Sequence, residues 1–524
     1  MGLGDRLARA AGIILVMNFA SRALGFVRDA VIANAFGATS ATDAYLVAYT
    51  LPYALQAVLG VAFVTVIVPV LTPYLIQGRK QEGWQVASTI ISLTTLLLVF
   101  ITLLGMLFAP LLVRIMAPGF SPPLLALTTQ LTRIMFPSLV FMGTGMLISG
   151  MLNAQQHFSL PAFAPAFANL VVIMSVVVLA PAYWVQGLAV GTVVGFIGFL
   201  IIQLPSLRAL GFRFRLRFDY RHPAVRQVAV NVIPVILAVS VNQIFLALNR
   251  VFASGLSAGS ITALDMANRI MNLPLGIFVA AVSTAIFPTL AKQAALKDTG
   301  AMSRTVFKSM GMAALVTIPA AMGLMILRVP IIQLLLERGA FNQEATSLTA
   351  IALLYFALGL LGQAANLVLT RAYYALGDVA APVIIGVVSI GLDIMLSLIL
   401  LPGFGHGGLA LANSLAATFN GVMLYGALKR HLPELKGQLV IRPLLKITAA
   451  SLVMGAVAAA CLKGLGNVFQ TSHLLSLIIQ VGTTTLLGLV VFLAAAWLLQ
   501  VEEISLLTGL VRRRLGRAAT GTGK

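Results

Sequence analysis

Four arginines fall inside long apolar stretches of the chain: Arg22 and Arg28 in one, Arg250 and Arg269 in two others. A guanidinium at the centre of a lipid-spanning helix costs about 2.5 to 3.5 kcal/mol on insertion scales, so each must face water, a partner or the interface. Two readings stay open. Either each arginine is paired or snorkels to the interface, or together they line a cationic cavity whose planar forks bind phosphate oxygens two at a time. Arg28 precedes Asp29, Arg269 has Asp265 at i, i+4 spacing, Arg250 follows Asn249, and Arg22 has no acid near it. Asn18, Ser21, Asp43 and Gln56 are further polar residues at membrane depth and suggest a wet interior face. Asp393, one turn after Ser389, is a carboxylate that is protonated, paired with a distant arginine or bound to a small cation. Pro52 and Pro274 interrupt helical bonding, as fixed kinks or as gating hinges. Nothing points to an enzyme: no nucleophile, base and orienter come together, no glycine-rich phosphate loop opens a helix, and Cys461 has no Cys or His neighbour at metal-ligand spacing.

The elements that must hold these residues are membrane helices. Of 524 residues, 60% are hydrophobic and 9% charged, against about 25% charged in an ordinary soluble domain, and the mean hydropathy is +1.02. A soluble globular fold is excluded. Stretches long enough to cross about 30 Å of hydrocarbon run from 11 to 36, 43 to 76, 86 to 115, 124 to 153, 159 to 182 and 186 to 206. After a basic loop they continue from 227 to 254, 261 to 291, 304 to 327, 345 to 375, 380 to 402, 405 to 428, 444 to 464 and 473 to 500. The expectation is therefore an all-α polytopic membrane protein of about fourteen transmembrane helices. Arg6 and Arg9 before the first run resemble a secretory signal, but Arg22 and Arg28 interrupt it and no small-residue cleavage site follows.

The net charge of +20 would suggest nucleic acid in a soluble chain, but the positions of the cations argue for topology instead. Arg79 and Lys80, Arg208 to Arg226, Lys292 to Lys308, Arg371, Lys429 to Lys446 and the tail from Arg512 to Lys524 all fall in alternate loops or ends. The positive-inside rule then predicts both termini in the cytoplasm. Sliding the chain on itself by 222 residues superposes Arg28 on Arg250, Gly37 on Gly259, Asp43 on Asp265, Leu51 on Leu273 and Pro52 on Pro274. Such a repeat predicts two six-helix lobes of the same orientation, related by an axis along the membrane normal. The expected domains are an N-terminal lobe (1–206), a basic cytoplasmic loop (207–226), a C-terminal lobe (227–428), a cytoplasmic loop (429–443), two added spans (444–500) and a basic cytoplasmic tail (501–524).

The stretch Ser21-Arg22-Ala23-Leu24-Gly25-Phe26-Val27-Arg28-Asp29, followed by Phe36-Gly37-Ala38 and Thr42-Asp43-Ala44-Tyr45, resembles the MurJ (MviN) family of lipid II flippases. Leu160-Pro161-Ala162-Phe163, Asn268-Arg269-Ile270-Met271, Phe287-Pro288-Thr289-Leu290 and Arg371-Ala372-Tyr373-Tyr374 extend the resemblance nearly end to end. The resemblance implies alternating access that moves undecaprenyl-pyrophosphate-linked peptidoglycan precursor from the inner to the outer leaflet of the bacterial cytoplasmic membrane. It further implies a diphosphate site at Arg22, Arg28 and Arg269, and cavity or gate roles for Asp29, Asp43 and Thr262, to which the polar positions Gln56, Asp265 and Arg250 are added. Some relatives resemble cation-coupled transporters, and the matching positions for a Na+ coupling ion are Asn249, Asp393 and Asn413. Expected partners are the lipid II-like glycolipid, membrane lipids and cell-wall synthesis proteins. Two positions depart from the family pattern: its usual arginine after the second-span proline is Gln56, and its nearby acid is Val61. A flippase for another polyprenyl-diphosphate saccharide, a cation-coupled drug exporter and a non-transporting scaffold therefore stand as alternatives.

Overall fold

The structure, a computed structural model, describes residues 3–435, 437–468 and 474–502, with side chains from Val16 onward in its first helix. The side chains of Arg6 and Arg9, and Lys436 and the basic tail at Arg512 to Lys524, lie outside what is described. Helices α1 (Leu3–Phe36), α2 (Ser40–Ile76), α3 (Lys80–Leu107), α4 (Ala109–Met116), α5 (Pro122–Met135) and α6 (Ser138–Ala154) come first. They are followed by α7 (Ser159–Ile201), α8 (Leu204–Ala209), α9 (Pro223–Ala253), α10 (Ser260–Pro274), a π turn (Leu275–Val279) and α11 (Ala280–Ala295). The rest comprises α12 (Thr299–Leu335), α13 (Gln343–Leu358), α14 (Leu360–Ala375), α15 (Ala380–Phe404), α16 (His406–Leu428), α17 (Gly437–Val468) and α18 (Leu474–Leu498). No strand occurs among the described residues.

Among those residues ten helices are long and apolar enough to cross a membrane, and α13 with α14, bent by 47°, makes an eleventh. The spans expected at 159–182 and 186–206 share α7, which turns at Trp184 with φ 49° and ψ −136°. The spans expected at 11–36 and 227–254 are helical but include residues outside the fully described set. The all-helical membrane fold is as read from composition; the number of crossings is not fixed at fourteen by length and apolarity.

Packing divides the chain into two compact units, Met1–Thr262 with Arg338–Asn342, and Ala263–Glu337 with Gln343–Lys524. These units do not coincide with the two repeat halves, because α9 lies along α2, α3 and α4. In lipid the surroundings are as apolar as leucine, so close packing rather than water release must hold helices together. Glycine makes that possible in the first unit. A Cβ on Gly150 of α6 would lie 2.3 Å from Ile67 of α2, and one on Gly143 would lie 2.6 Å from Leu98 of α3. Around these contacts Phe63, Ile67, Ile90, Leu98, Leu147 and Met151 form a buried apolar cluster that takes in Val228 and Val232 of α9.

The two arms of α7 meet through Gly187, Gly191 and Gly195, whose Cβ positions would collide with Leu179, Ser175 and residues Val172 and Ala168. The same turn recurs 221 positions on. Gly405 joins α15 to α16 with φ 54° and ψ −136°, and Gly408 stands against the Leu400 carbonyl as Gly187 does against that of Leu179.

In the second unit, α14 and α16 approach backbone to backbone. Hypothetical Cβ atoms on Gly359 and Gly362 would fall 2.6 Å from the Cα atoms of Ser414 and Thr418. Polar groups then bind α16 to its neighbours: from α14 the Tyr373 hydroxyl donates to Leu424 O at 3.0 Å and Asn366 Nδ2 to Ala417 O at 3.2 Å, and Ser414 Oγ of α16 donates to Tyr355 O of α13 at 2.7 Å. Gly362→Ala is expected to destabilise the protein by about 1 to 3 kcal/mol through overpacking against immovable backbone. Gly386→Ala, where a Cβ meets nothing within 4 Å, should be neutral or stabilising by about 0.5 to 1 kcal/mol, because alanine is the better helix former. Thermal unfolding of the two purified variants in one detergent checks the contrast.

Candidate functional site

Helix α1 runs along α7, and at their contact the first intramembrane charge is answered. Arg28 donates through Nε and Nη2 to Asp29 Oδ1, at 3.0 and 2.7 Å, and through Nη1 to Asn169 Oδ1 at 3.0 Å. Asn169 of α7 in turn donates from Nδ2 to the Ser21 carbonyl at 3.3 Å, so the amide clamps α1 on both sides of Gly25. The Arg28 side chain keeps 22% exposure while Asp29 keeps 6%. Arg22 is exposed on the same helix. Composition alone does not single out Asn169; its signal is an amide within the apolar first arm of α7.

A second cluster lies at the N-terminus of α10. The buried Asp43 carboxylate accepts from Gly259 N at 2.7 Å with Oδ2, and from Thr262 N and Oγ1 at 2.8 and 2.6 Å with Oδ1. A carboxylate placed on the free N–H groups and positive dipole end of a helix is favoured there. Arg250 donates from Nη1 to the carbonyl of Ile261 at 3.3 Å, one residue before Thr262. Thus the structure joins Asp43 to Thr262 and sets Arg250 beside them.

Four turns meet around this cluster, all within the first unit. Ala340 N donates to Asn34 O at 2.9 Å, and Gly119 N donates to Ser254 Oγ at 3.2 Å. Gly37 and Gly259, matched by the sequence offset, both have left-handed φ, +65° and +86°. A Cβ on either would sit 2.3 Å from a backbone oxygen, of Ala340 and Ala38 respectively. No other residue type fits there. The turns lie at the start of α2, whereas the basic residues Arg79 and Lys80 follow its end; the helix ends remote from the basic loops are therefore closed, main chain on main chain.

The remaining sequence candidates lie elsewhere in their units. Arg269 pairs with Asp265 at 2.7 Å, one turn apart on α10, with side-chain exposures of 35% and 16%. Pro274 ends α10 and the π turn Leu275–Val279 follows directly, the irregularity expected where a helical N–H is missing. Pro52 is buried within α2, which continues through it. Gln56 is fully buried and donates from Nε2 to Ser138 Oγ at 3.2 Å, tying α2 to α6, and Val61 is exposed. Asp393 is buried at 1% exposure on α15, with Ser389 and Ser397 buried one turn to either side. Asn249 on α9 and Asn413 on α16 are half-buried. A tyrosine ladder on α2 has no counterpart among the sequence candidates: Tyr45 stacks on Tyr49 at a centroid distance of 6.1 Å and Tyr49 meets Tyr53 at a tilt, 5.2 Å away, with Tyr45 Oη 3.0 Å from Thr192 Oγ1.

Asp43→Asn should weaken the closed end by about 1 to 2 kcal/mol, since a neutral amide cannot accept three charge-assisted bonds. A cysteine placed at the buried Ser260, in a chain with Cys461→Ala, should then react with a water-soluble maleimide about 5 to 30 times faster. Thr262→Ala, which removes one bond of the three, should give a smaller acceleration.

Comparison with known proteins follows the same direction. A family model described as "Lipid II flippase MurJ" matches residues 32–481. The "Probable lipid II flippase MurJ" of Buchnera aphidicola is 30% identical over 78% of this chain and 81% of its own length. That of Vibrio cholerae is 30% identical over 81% and 83%, and the "Lipid II flippase MurJ" of Burkholderia cenocepacia 29% over 88% and 90%. Among solved structures, a lipid II flippase MurJ in an inward closed conformation superposes with a TM-score of 0.76 at 24% identity, covering 96% of this chain and 99% of that one. An inward-facing multidrug resistance MATE family transporter of the MOP superfamily gives 0.66 at 13% identity over 81% and 98%.

Proposed function

The chain belongs to the lipid II flippase MurJ family, and from that premise we propose that it carries the diphosphate-linked lipid precursor of peptidoglycan across the bacterial cytoplasmic membrane by alternating access. It is a transporter and not an enzyme. The observation that carries the reading is the match over residues 32–481 together with arginines that keep exposed guanidinium surface at membrane depth.

Arg22, Arg28 and Arg269 are the diphosphate ligands in this reading. Arg28 and Arg269 now bond to Asp29 and Asp265, so phosphate oxygens would take over hydrogen bonds that carboxylates accept in the absence of cargo. Such an exchange keeps each cation compensated throughout, which makes entry and release of the anion comparable in cost. Gln56 and Asp43 support the helices that present the site, and Pro52 and Pro274 supply bends. Both termini are cytoplasmic, the two lobes of 1–206 and 227–428 rock about the site, and the Asp43 cap opens to release the headgroup outside. An inside-negative potential favours outward movement of an anion by about 2.3 kcal/mol per charge per 100 mV.

A Na+ ion as coupling ion fits the chemistry of Asp393, a buried carboxylate between two buried serines, with the amide oxygens of Asn249 and Asn413 as further hard ligands of the kind alkali and alkaline-earth cations take. Cell-wall synthesis proteins are the partners consistent with delivery of this cargo.

Proteoliposomes should translocate fluorescent lipid II, and Arg22→Gln or Arg269→Gln should lower the initial rate at least about tenfold, the cost of one charge-assisted contact, with unfolding temperature preserved. Normal rates in both variants would sink the phosphate assignment. Rescue of cells depleted of their own lipid II flippase separates this cargo from another polyprenyl-diphosphate saccharide, a drug or no cargo at all. For the cation, a rate that requires Na+ and is lost in Asp393→Asn is expected; a Na+-independent rate that survives the substitution overturns it.

A further inference from the structure

The far end of α3, the short helix α4 and the last turns of α5 enclose a groove of about 690 Å³, lined among others by Met106, Pro110, Gln130, Arg133, Ile134 and Pro137. None of these belongs to the site above. Leu107, Phe108 and Leu111, chain neighbours of the lining residues Met106 and Pro110, are exposed, as suits a surface that faces lipid rather than water. Met106 lies about 39 Å along α3 from Lys80, at about 1.5 Å per residue. That exceeds the hydrocarbon thickness of about 30 Å, so with Lys80 at one headgroup layer Met106 stands at the opposite one.

Arg133 is held at this level by one bond, from Nε to Met106 O at 3.2 Å. Its two amino groups make no hydrogen bond to protein among the described residues. A guanidinium pinned through Nε presents its remaining donors as a fork, the geometry that suits two oxygens of one phosphate. No carboxylate lines the groove, so an ethanolamine or choline ammonium would find no counter-charge. Gln130 offers an amide, and Pro137, which has no N–H, leaves the Arg133 carbonyl without its helical donor; both suit hydroxyl groups. Met106, Pro110 and Ile134 give an apolar wall for the glycerol backbone and first acyl carbons.

We propose that this groove binds the headgroup of a net-anionic glycerophospholipid of the phosphatidylglycerol type, in the leaflet opposite Arg79 and Lys80. The phosphate rests on the Arg133 fork and the glycerol hydroxyls on Gln130 and the Arg133 carbonyl. The resident lipid fills the break between α5 and α6 at Pro137.

The test uses full-length protein in phosphatidylethanolamine vesicles carrying a photoactivatable phosphatidylglycerol. Labelling should fall on peptides containing Met106 or Ile134, be competed by unlabelled phosphatidylglycerol, and drop about tenfold in Arg133→Gln, as for one charge-assisted contact. Arg133→Lys should retain part of it. Gln130→Leu, which leaves the fork in place, should weaken labelling by phosphatidylglycerol but not by a phosphatidic acid probe, which lacks the glycerol hydroxyls. Equal labelling of wild type and Arg133→Gln, labelling outside the groove, or an equal response to a phosphatidylethanolamine probe overturns the proposal. Displacement by lipid II at lower concentration than by phosphatidylglycerol also overturns it, and would assign the fork to a cargo diphosphate.

Discussion

An ion inside a bundle of apolar helices has to be compensated within reach of its own side chain, because neither water nor salt is there to screen it. This constraint organises the polar half of the structure. Arg28 draws Asp29 and Asn169 to itself and so fixes α1 against α7. Arg269 holds Asp265 one turn away on its own helix. Asp43 takes the other solution, satisfying its charge with the N–H groups that open α10. The Arg28 and Asp43 compensations are also contacts between helices, whereas the Arg269 pair is made within α10.

The apolar half obeys a different rule. With lipid as the competing solvent, contact area between leucines stabilises little, and association depends on how closely backbones approach. Gly187, Gly191 and Gly195 within α7, Gly150 between α2 and α6, and Gly359 and Gly362 between α14 and α16 are where that approach is made. The recurrence of one unusual turn at Trp184 and Gly405, with nearly the same φ and ψ, shows the same packing solution built twice. The non-glycine copy accepts a conformation that costs about 1 to 3 kcal/mol elsewhere and keeps an exposed tryptophan at the turn.

Much of this was legible in the residues. Apolar runs and loop cations were enough for an all-helical membrane protein, and the i, i+4 spacing of Asp265 and Arg269 already implied their bond. The fixed offset that pairs Gly37 with Gly259 joins two positions that share left-handed φ, although the offset alone implied only a repeat. Other features depend on contacts between distant segments and leave no periodic trace. Asn169 reads as one amide among many, Tyr45 to Tyr53 as aromatic filling, and Gln56, set down as a cavity or gate polar residue, is buried against Ser138. The packing units also cut across the repeat, since the side of α9 that meets α2 is decided by three-dimensional fit and not by its composition.

The closed end of the first unit has a mechanical consequence. Most of its contacts are carbonyl oxygens against glycine Cα atoms and a short carboxylate against main-chain N–H groups, with the Arg250 bond to Ile261 O the long-side-chain contact beside them. Such a joint cannot yield by degrees. Moved by an ångström or two, it has lost nearly all of its hydrogen bonding, and before that it has lost almost none, so it behaves as a latch with two positions and a sharp release.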